Sequence, residues 1–145
     1  MKPILKSYLI EINLGTTQPG NGSNINFQDY PQLRDIYITG IECFYAPQVA
    51  ISPAGKAVVT DLTGITLTLK DKYNMDMVYQ YPTYDLNPAL VGGFYRDFLP
   101  FELQLTKSYI NITDNTNLAA NQSVIFNVFY IQSKDFPKYA KQYIK

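Results

Sequence analysis

Catalysis near neutral pH usually needs a general base, an activated nucleophile or a metal, and this sequence is short of all three. It contains no histidine, which removes the commonest base and the commonest metal ligand. Its one cysteine, Cys43, sits between Glu42 and Phe44 in an apolar, strand-like run. A thiol there with no histidine partner reads as a buried, inert core side chain. One cysteine makes no intrachain disulfide, and without histidine no Cys/His metal cluster can be built. The carboxylates, among them Asp29, Asp71, Asp85 and Asp114, stand mostly alone near turn signals, where capping and solvation are their ordinary roles. Glycosidase chemistry would need two of them facing each other across a cleft lined with sugar-stacking aromatics, and tryptophan is absent. No Gly-rich phosphate loop, nucleophile elbow or metal-ligand spacing occurs. The expectation is a protein that is not an enzyme and takes no cofactor and no metal. Asn21, Asn111 and Asn121 each begin an N-x-Ser/Thr pattern, read here as chance matches in an Asn-rich chain without an export signal.

Binding is the chemistry that remains, and its best-supplied instrument is tyrosine, with 13 in the chain. Tyr73, Met75, Met77, Tyr79 and Tyr81 share one parity, opposite Asn74, Asp76 and Gln80. A strand there presents a Tyr/Met stripe. The ordinary reading is core packing; the polar end of tyrosine leaves open that part of the stripe faces a neighbouring subunit. A second apolar concentration lies in residues 82–100, where Asn87-Pro88 and Gly92-Gly93 disfavour regular structure. It carries Tyr84, Leu86, Phe94, Tyr95, Phe98 and Leu99. Such a loop either packs down on its own domain as a lid or buries these side chains against another chain, and they are the expected protein-interface residues. In residues 134–145, Pro137 starts a short helix whose Tyr139 and Tyr143 lie on a different face from its lysines. Either this is a frayed tail, or it is an arm that docks on a neighbour through those tyrosines.

These residues need elements to position them. With 145 residues, one hydrophobic core is expected, as a β-domain over 1–133 followed by the 134–145 arm. Tyr8, Ile10, Ile12 and Leu14 alternate with polar neighbours, as do Ile65, Leu67 and Leu69, the period of a half-buried strand. Ile36 and Ile38 share one parity while Ile41, Cys43 and Tyr45 share the other, with Gly40 at the switch, so a β-bulge is expected there. Residues 52–55 read as a turn leading to a strand at Ala57, Val58 and Val59. Residues 124–131 are apolar on both parities except for Asn127, as in a central strand covered on both faces. About eight short strands with uneven loops predict an all-β, antiparallel β-sandwich of the jelly-roll kind. An immunoglobulin-like sandwich is the alternative, weakened by the missing tryptophan and the single cysteine.

Charge narrows the partners. Twelve basic and twelve acidic residues give a formal net charge of +0, so no excess of cations is available to track phosphates, and nucleic acid is not expected as a partner. The N-terminal stretch MKPILKSYLIEINL is too short and too polar for a membrane span or a signal-peptide core, so no membrane insertion is expected. A neutral surface instead suits self-association.

The segment Phe27-Gln-Asp-Tyr-Pro-Gln-Leu-Arg-Asp-Ile-Tyr-Ile-Thr-Gly-Ile-Glu42, the Tyr84-Asp-Leu-Asn-Pro-Ala89 stretch and the Asn-rich, His-free, Trp-free texture together resemble the small single jelly-roll virion proteins of bacteriophages. That resemblance implies a capsid or capsid-associated subunit, such as a penton, minor or auxiliary capsid protein. It implies as partners other copies of the chain and other virion proteins, and the virion, assembled in the host cytoplasm, as its location. The reading from a different class is a lectin-like module that binds carbohydrate or a cell-surface ligand through exposed tyrosines.

Overall fold

A computed structural model describes residues 5–46, 63–87, 96–116, 118, 120 and 122–143, with backbone alone at 45, 46, 96–99, 142 and 143. The described residues form eight strands: β1 (Lys6–Asn13), β2 (Asn24–Asn26), β3 (Ile36–Ala46), β4 (Ile65–Lys70), β5 (Asp76–Pro82), β6 (Arg96–Glu102), β7 (Tyr109–Ile112) and β8 (Ser123–Gln132). Among the described residues one α-helix, α1 (Phe136–Tyr143), follows them. The pairing obeys a single rule. β1 pairs with β8, β2 with β7, β3 with β6 and β4 with β5, all antiparallel, as though one long hairpin bent between β4 and β5 had been rolled up. The antiparallel pairs β3–β8 and β4–β7 then close the roll. Two four-stranded sheets result, β1-β8-β3-β6 and β2-β7-β4-β5, which is jelly-roll order. An immunoglobulin-like sandwich would instead have set the first strand beside the second.

The alternating strands bury the faces their sequences assign. Ile10, Ile12 and Leu14 of the β1 segment and Ile65, Leu67 and Leu69 of β4 enter one core with Ile110 and Ile112 of β7. β8 lies between β1 and β3. Its Val124, Phe126 and Val128 are buried in that core, while Ile125 and Ile131, of opposite parity, are buried on its second face. The Phe126 ring meets Phe27 edge to face at 5.3 Å, joining the central strand to the segment after β2. In β3 the bulge falls where the parity switch placed it. Ile38 faces Tyr130 and Gly40 faces Phe129, leaving Thr39 as the extra residue, and its hydroxyl donates to the Phe129 carbonyl at 3.1 Å. Ile36, Ile38, Ile41 and Cys43 therefore all reach the core despite the slip.

Three expectations are corrected. The stretch 82–100 is not one long loop: Thr83–Leu86 is a 3-10 turn with Thr83 and Leu86 buried, and Phe98 and Leu99 belong to β6. Phe94, Tyr95 and the Gly92-Gly93 pair lie outside the described residues, as do the turn at 52–55 and the strand expected at Ala57–Val59. Residues 134–143 are no frayed tail. Pro137 is the second residue of α1, a position where its missing N–H costs nothing, and the Phe136 ring stacks on Tyr37 of β3 at 3.8 Å. The third correction is the Tyr/Met stripe: Tyr81 packs against the core, but Tyr73, Met75, Met77 and Tyr79 stand in solvent.

Candidate functional site

The stripe is built by the β4–β5 hairpin. At its tip Asp71 Oδ1 accepts from the backbone N–H of Tyr73 at 2.9 Å and of Met75 at 3.0 Å, and Asn74 takes a left-handed φ of 65°. An Asp opening the turn and an Asn at the left-handed position are the chemistry such turns select. Beyond the tip the register slips twice: Leu67 faces Tyr81, Leu69 faces Val78 and Lys70 faces Asp76. Each slip inserts one extra residue into β5, and Gln80, at φ 48°, donates its N–H to Thr68 Oγ1 at 3.1 Å. The bulges change parity, so Val78 and Tyr81 both pack against the core. Tyr73, Met75, Met77 and Tyr79 are left in solvent at 73, 61, 47 and 60% exposure. β5 is moreover the last strand of its sheet. Side chains of this size bury roughly 150–250 Å2 each when covered. Their exposed parts therefore sum to roughly 400 Å2, within the range at which a surface patch on a monomer is often functional.

The charges bordering the stripe are paired within the chain. Lys70 Nζ lies 2.8 Å from Asp76 Oδ1. Lys72 Nζ donates to Glu102 Oε1 at 2.8 Å and stands 5.1 Å above the Tyr73 ring, and the Tyr37 hydroxyl donates to the same Glu102 oxygen at 2.7 Å. The Lys72 hydrogen bond, followed by that of Tyr37, holds the Glu102 carboxyl below its ordinary value, and the Lys72 ammonium is raised in return. This network fastens the hairpin tip to β6 and, through the Tyr37–Phe136 stack, to α1.

Beside it lies a cleft of about 430 Å3 lined by residues that include Asp29, Tyr30, Arg34, Lys72, Glu102 and Gln104. Two of its charges are also paired: Arg34 Nε donates to Asp29 Oδ1 at 3.0 Å and Arg34 Nη2 to Asp29 Oδ2, which lowers the Asp29 carboxyl. The groups left to engage a ligand are the Asp35 carboxylate together with amide, hydroxyl and ring surfaces. Among the described residues no three His, Cys, Asp or Glu side chains come together to hold a metal ion. Cys43 is fully buried, and burial pushes its thiol well above the ordinary value.

The expected interface residues are scattered. Tyr84 is half-buried against the core and Leu86, 2% exposed, is part of it. Leu86 thus has no surface to offer a neighbour, because the 3-10 turn after β5 folds it inward. Tyr139 is half-buried in α1, its ring 6.4 Å from Phe136. Phe98 and Leu99 of β6 and Tyr143 at the end of α1 are described by backbone alone, and Phe94 and Tyr95 lie outside the described residues. The exposed residues that periodicity assigned to the core are Tyr73, Met75, Met77 and Tyr79. Their alternation was legible, but the direction in which they face depends on bulges that no glycine or parity switch announces. No helix among the described residues is long and apolar enough to cross a membrane. Comparison with protein-family models, curated protein sequences and solved structures gives no match for this chain.

Proposed function

We propose that this chain is a non-enzymatic structural protein: a jelly-roll subunit of a virion shell, as penton, minor or auxiliary capsid protein, assembling with copies of itself and with other virion proteins. The observation that carries the reading is the exposed Tyr/Met stripe on the β5 edge of a jelly-roll sandwich. Leaving that much apolar surface in water is costly, and a partner that covers it recovers the cost. Jelly rolls serve repeatedly in capsids, and the rigid sandwich would supply shape while its edges supply contacts. Phe94, Tyr95, Phe98, Leu99, Tyr139 and Tyr143 stay proposed as further contacts. Particles purified from the source should contain the chain in fixed stoichiometry, and single replacements of Glu42 or Asp85 should leave that incorporation intact. Absence from purified particles would overturn the reading.

The cleft favours a second reading, a carbohydrate-binding module. A volume of about 430 Å3 is within the range of small-ligand sites, and the Tyr30 ring, Asp35 and Gln104 offer the flat and hydrogen-bonding surfaces a sugar uses. The isolated protein would then bind defined glycans on an array, and Gln104→Ala would weaken that binding.

A further inference from the structure

Among the described residues the large hydrophobic side chains that stand in solvent are confined to two places. One is the β5 stripe; the other is Leu5 and Leu9, 41 and 62% exposed. Leu9 lies on β1 and Leu5 immediately before it, both with the outward parity of that strand, opposite to the buried Ile10 and Ile12. Strand order sets the two places apart. β1 and β2 stand first in their sheets and β6 and β5 last. The Tyr30 hydroxyl donates to the Glu11 carbonyl at 3.0 Å, tying the segment after β2 to β1. Lys72 on Glu102 ties the β4–β5 hairpin to β6 at the other side. The exposed apolar groups thus occupy opposite lateral edges of one sandwich.

We propose that copies of this chain associate head to tail, the Tyr73–Tyr79 stripe at the β5 edge of one copy packing on the Leu5/Leu9 surface at the β1 edge of the next. A two-fold contact would set stripe against stripe and leave Leu5 and Leu9 in water, whereas a head-to-tail contact covers both. The two bulges in β5 also blunt that edge against pairing its backbone with a second β5, leaving side chains as the contact. Electrostatics favour a second copy over a charged partner. The formal net charge is +0, and Lys70, Lys72, Asp76 and Glu102 around the stripe are already paired within the chain, while the Asp71 carboxylate is held by the turn N–H groups of Tyr73 and Met75, so the stripe offers no cation pair to a phosphate-rich surface and only one carboxylate to a basic one. Area then fixes the kind of assembly. A stripe of roughly 400 Å2 is about half of one side of a standard interface, so a single contact is weak. A closed ring, in which every copy makes two such contacts, gains the missing stability by multivalency.

The inference rests on the structural-subunit reading only in taking self-assembly as the task of the chain. Two variants test it by native mass spectrometry of the full chain, one carrying Met77→Lys with Tyr79→Lys and the other Leu9→Lys. All replace exposed side chains, so each variant should stay folded, with a melting temperature below that of wild type only by what assembly adds to the native state. Wild type should form a closed oligomer larger than a dimer, and each variant alone should be monomeric. An equimolar mixture can make only one contact per pair, the intact β5 edge of the Leu9→Lys chain on the intact β1 edge of the other, so it should give no ring and at most a weak one-to-one heterodimer that grows with protein concentration. A monomeric wild type, a Leu9→Lys chain that assembles like wild type, or a mixture that rebuilds the wild-type oligomer would each overturn head-to-tail association. The virion reading fails separately. If wild type forms the ring but is absent from particles, that reading falls and the inference stands, whereas incorporation of a chain whose Leu9→Lys variant assembles normally does the reverse.

Discussion

Truncating Phe126 to alanine tests the core directly. Phe126 has no exposed surface and stands on the central strand of one sheet, with the Phe27 ring edge-on at 5.3 Å. Deleting a fully buried phenylalanine removes its transfer free energy and leaves a cavity that the surrounding strands fill only in part, a loss of about 3–5 kcal/mol. Losing the edge-to-face partner places the expected value in the upper half of that range. Against a total stability of about 5–15 kcal/mol for a domain, the variant should remain folded but lower its urea midpoint by roughly 2 M at an unchanged slope. The control is Phe129→Ala, three residues along β8 on the opposite face and only half-buried, with an expected loss below about 2 kcal/mol. A loss below about 1 kcal/mol for Phe126→Ala, or equal losses for the two variants, would refute the placement of the core between the sheets.

Glu102→Gln probes the network beneath the hairpin. The folded-state carboxyl lies below its ordinary value of 4.5 because Lys72 and then Tyr37 donate to it, so its contribution is complete above that pH and is lost as pH falls through the lower folded value. The stability advantage of wild type over Glu102→Gln should therefore be small and positive at pH 7, since the Lys72 side chain is 45% exposed and solvent screens the pair, and should close in acid; chemical denaturation that finds the same gap at both ends would contradict the network. Gly64→Ala should cost about 1–3 kcal/mol or more, because a Cβ there would stand 1.8 Å from the Asp114 carbonyl oxygen, a backbone atom that cannot swing aside. A thermal melt matching wild type would show that the approach of β4 to the chain after β7 is looser than this. Cys43, buried and with its thiol raised by that burial, should resist thiol reagents in the native state at pH 8 and react fully once unfolded; rapid labelling of native protein would show that the β3 core opens.

Alternation along the chain carried most of the fold. A half-buried strand writes its two faces into its own residues, which is why β1, β4 and the two-faced β8 were legible, and why the parity switch at Gly40 located the bulge that Thr39 forms. Absence of histidine and a lone cysteine in an apolar run likewise settled from composition that Cys43 belongs to the core. What one strand's sequence does not contain is its neighbours. The pairing of β1 with β8 and β2 with β7 joins segments far apart in the chain, and the free energy that selects it comes from covering both sheets at once. The Tyr/Met stripe shows the consequence. Its period of two states that two faces differ, but which face meets the second sheet was decided by the bulges at Met77 and Gln80 and by the place of β5 at a sheet edge. Leu86 went the other way: its irregular surroundings read as loop, yet the 3-10 turn after β5 folds it into the core. Local sequence determined which residues form strands and where parity breaks; only the packing of sheet on sheet decided which apolar residues are covered and which are left to meet a partner.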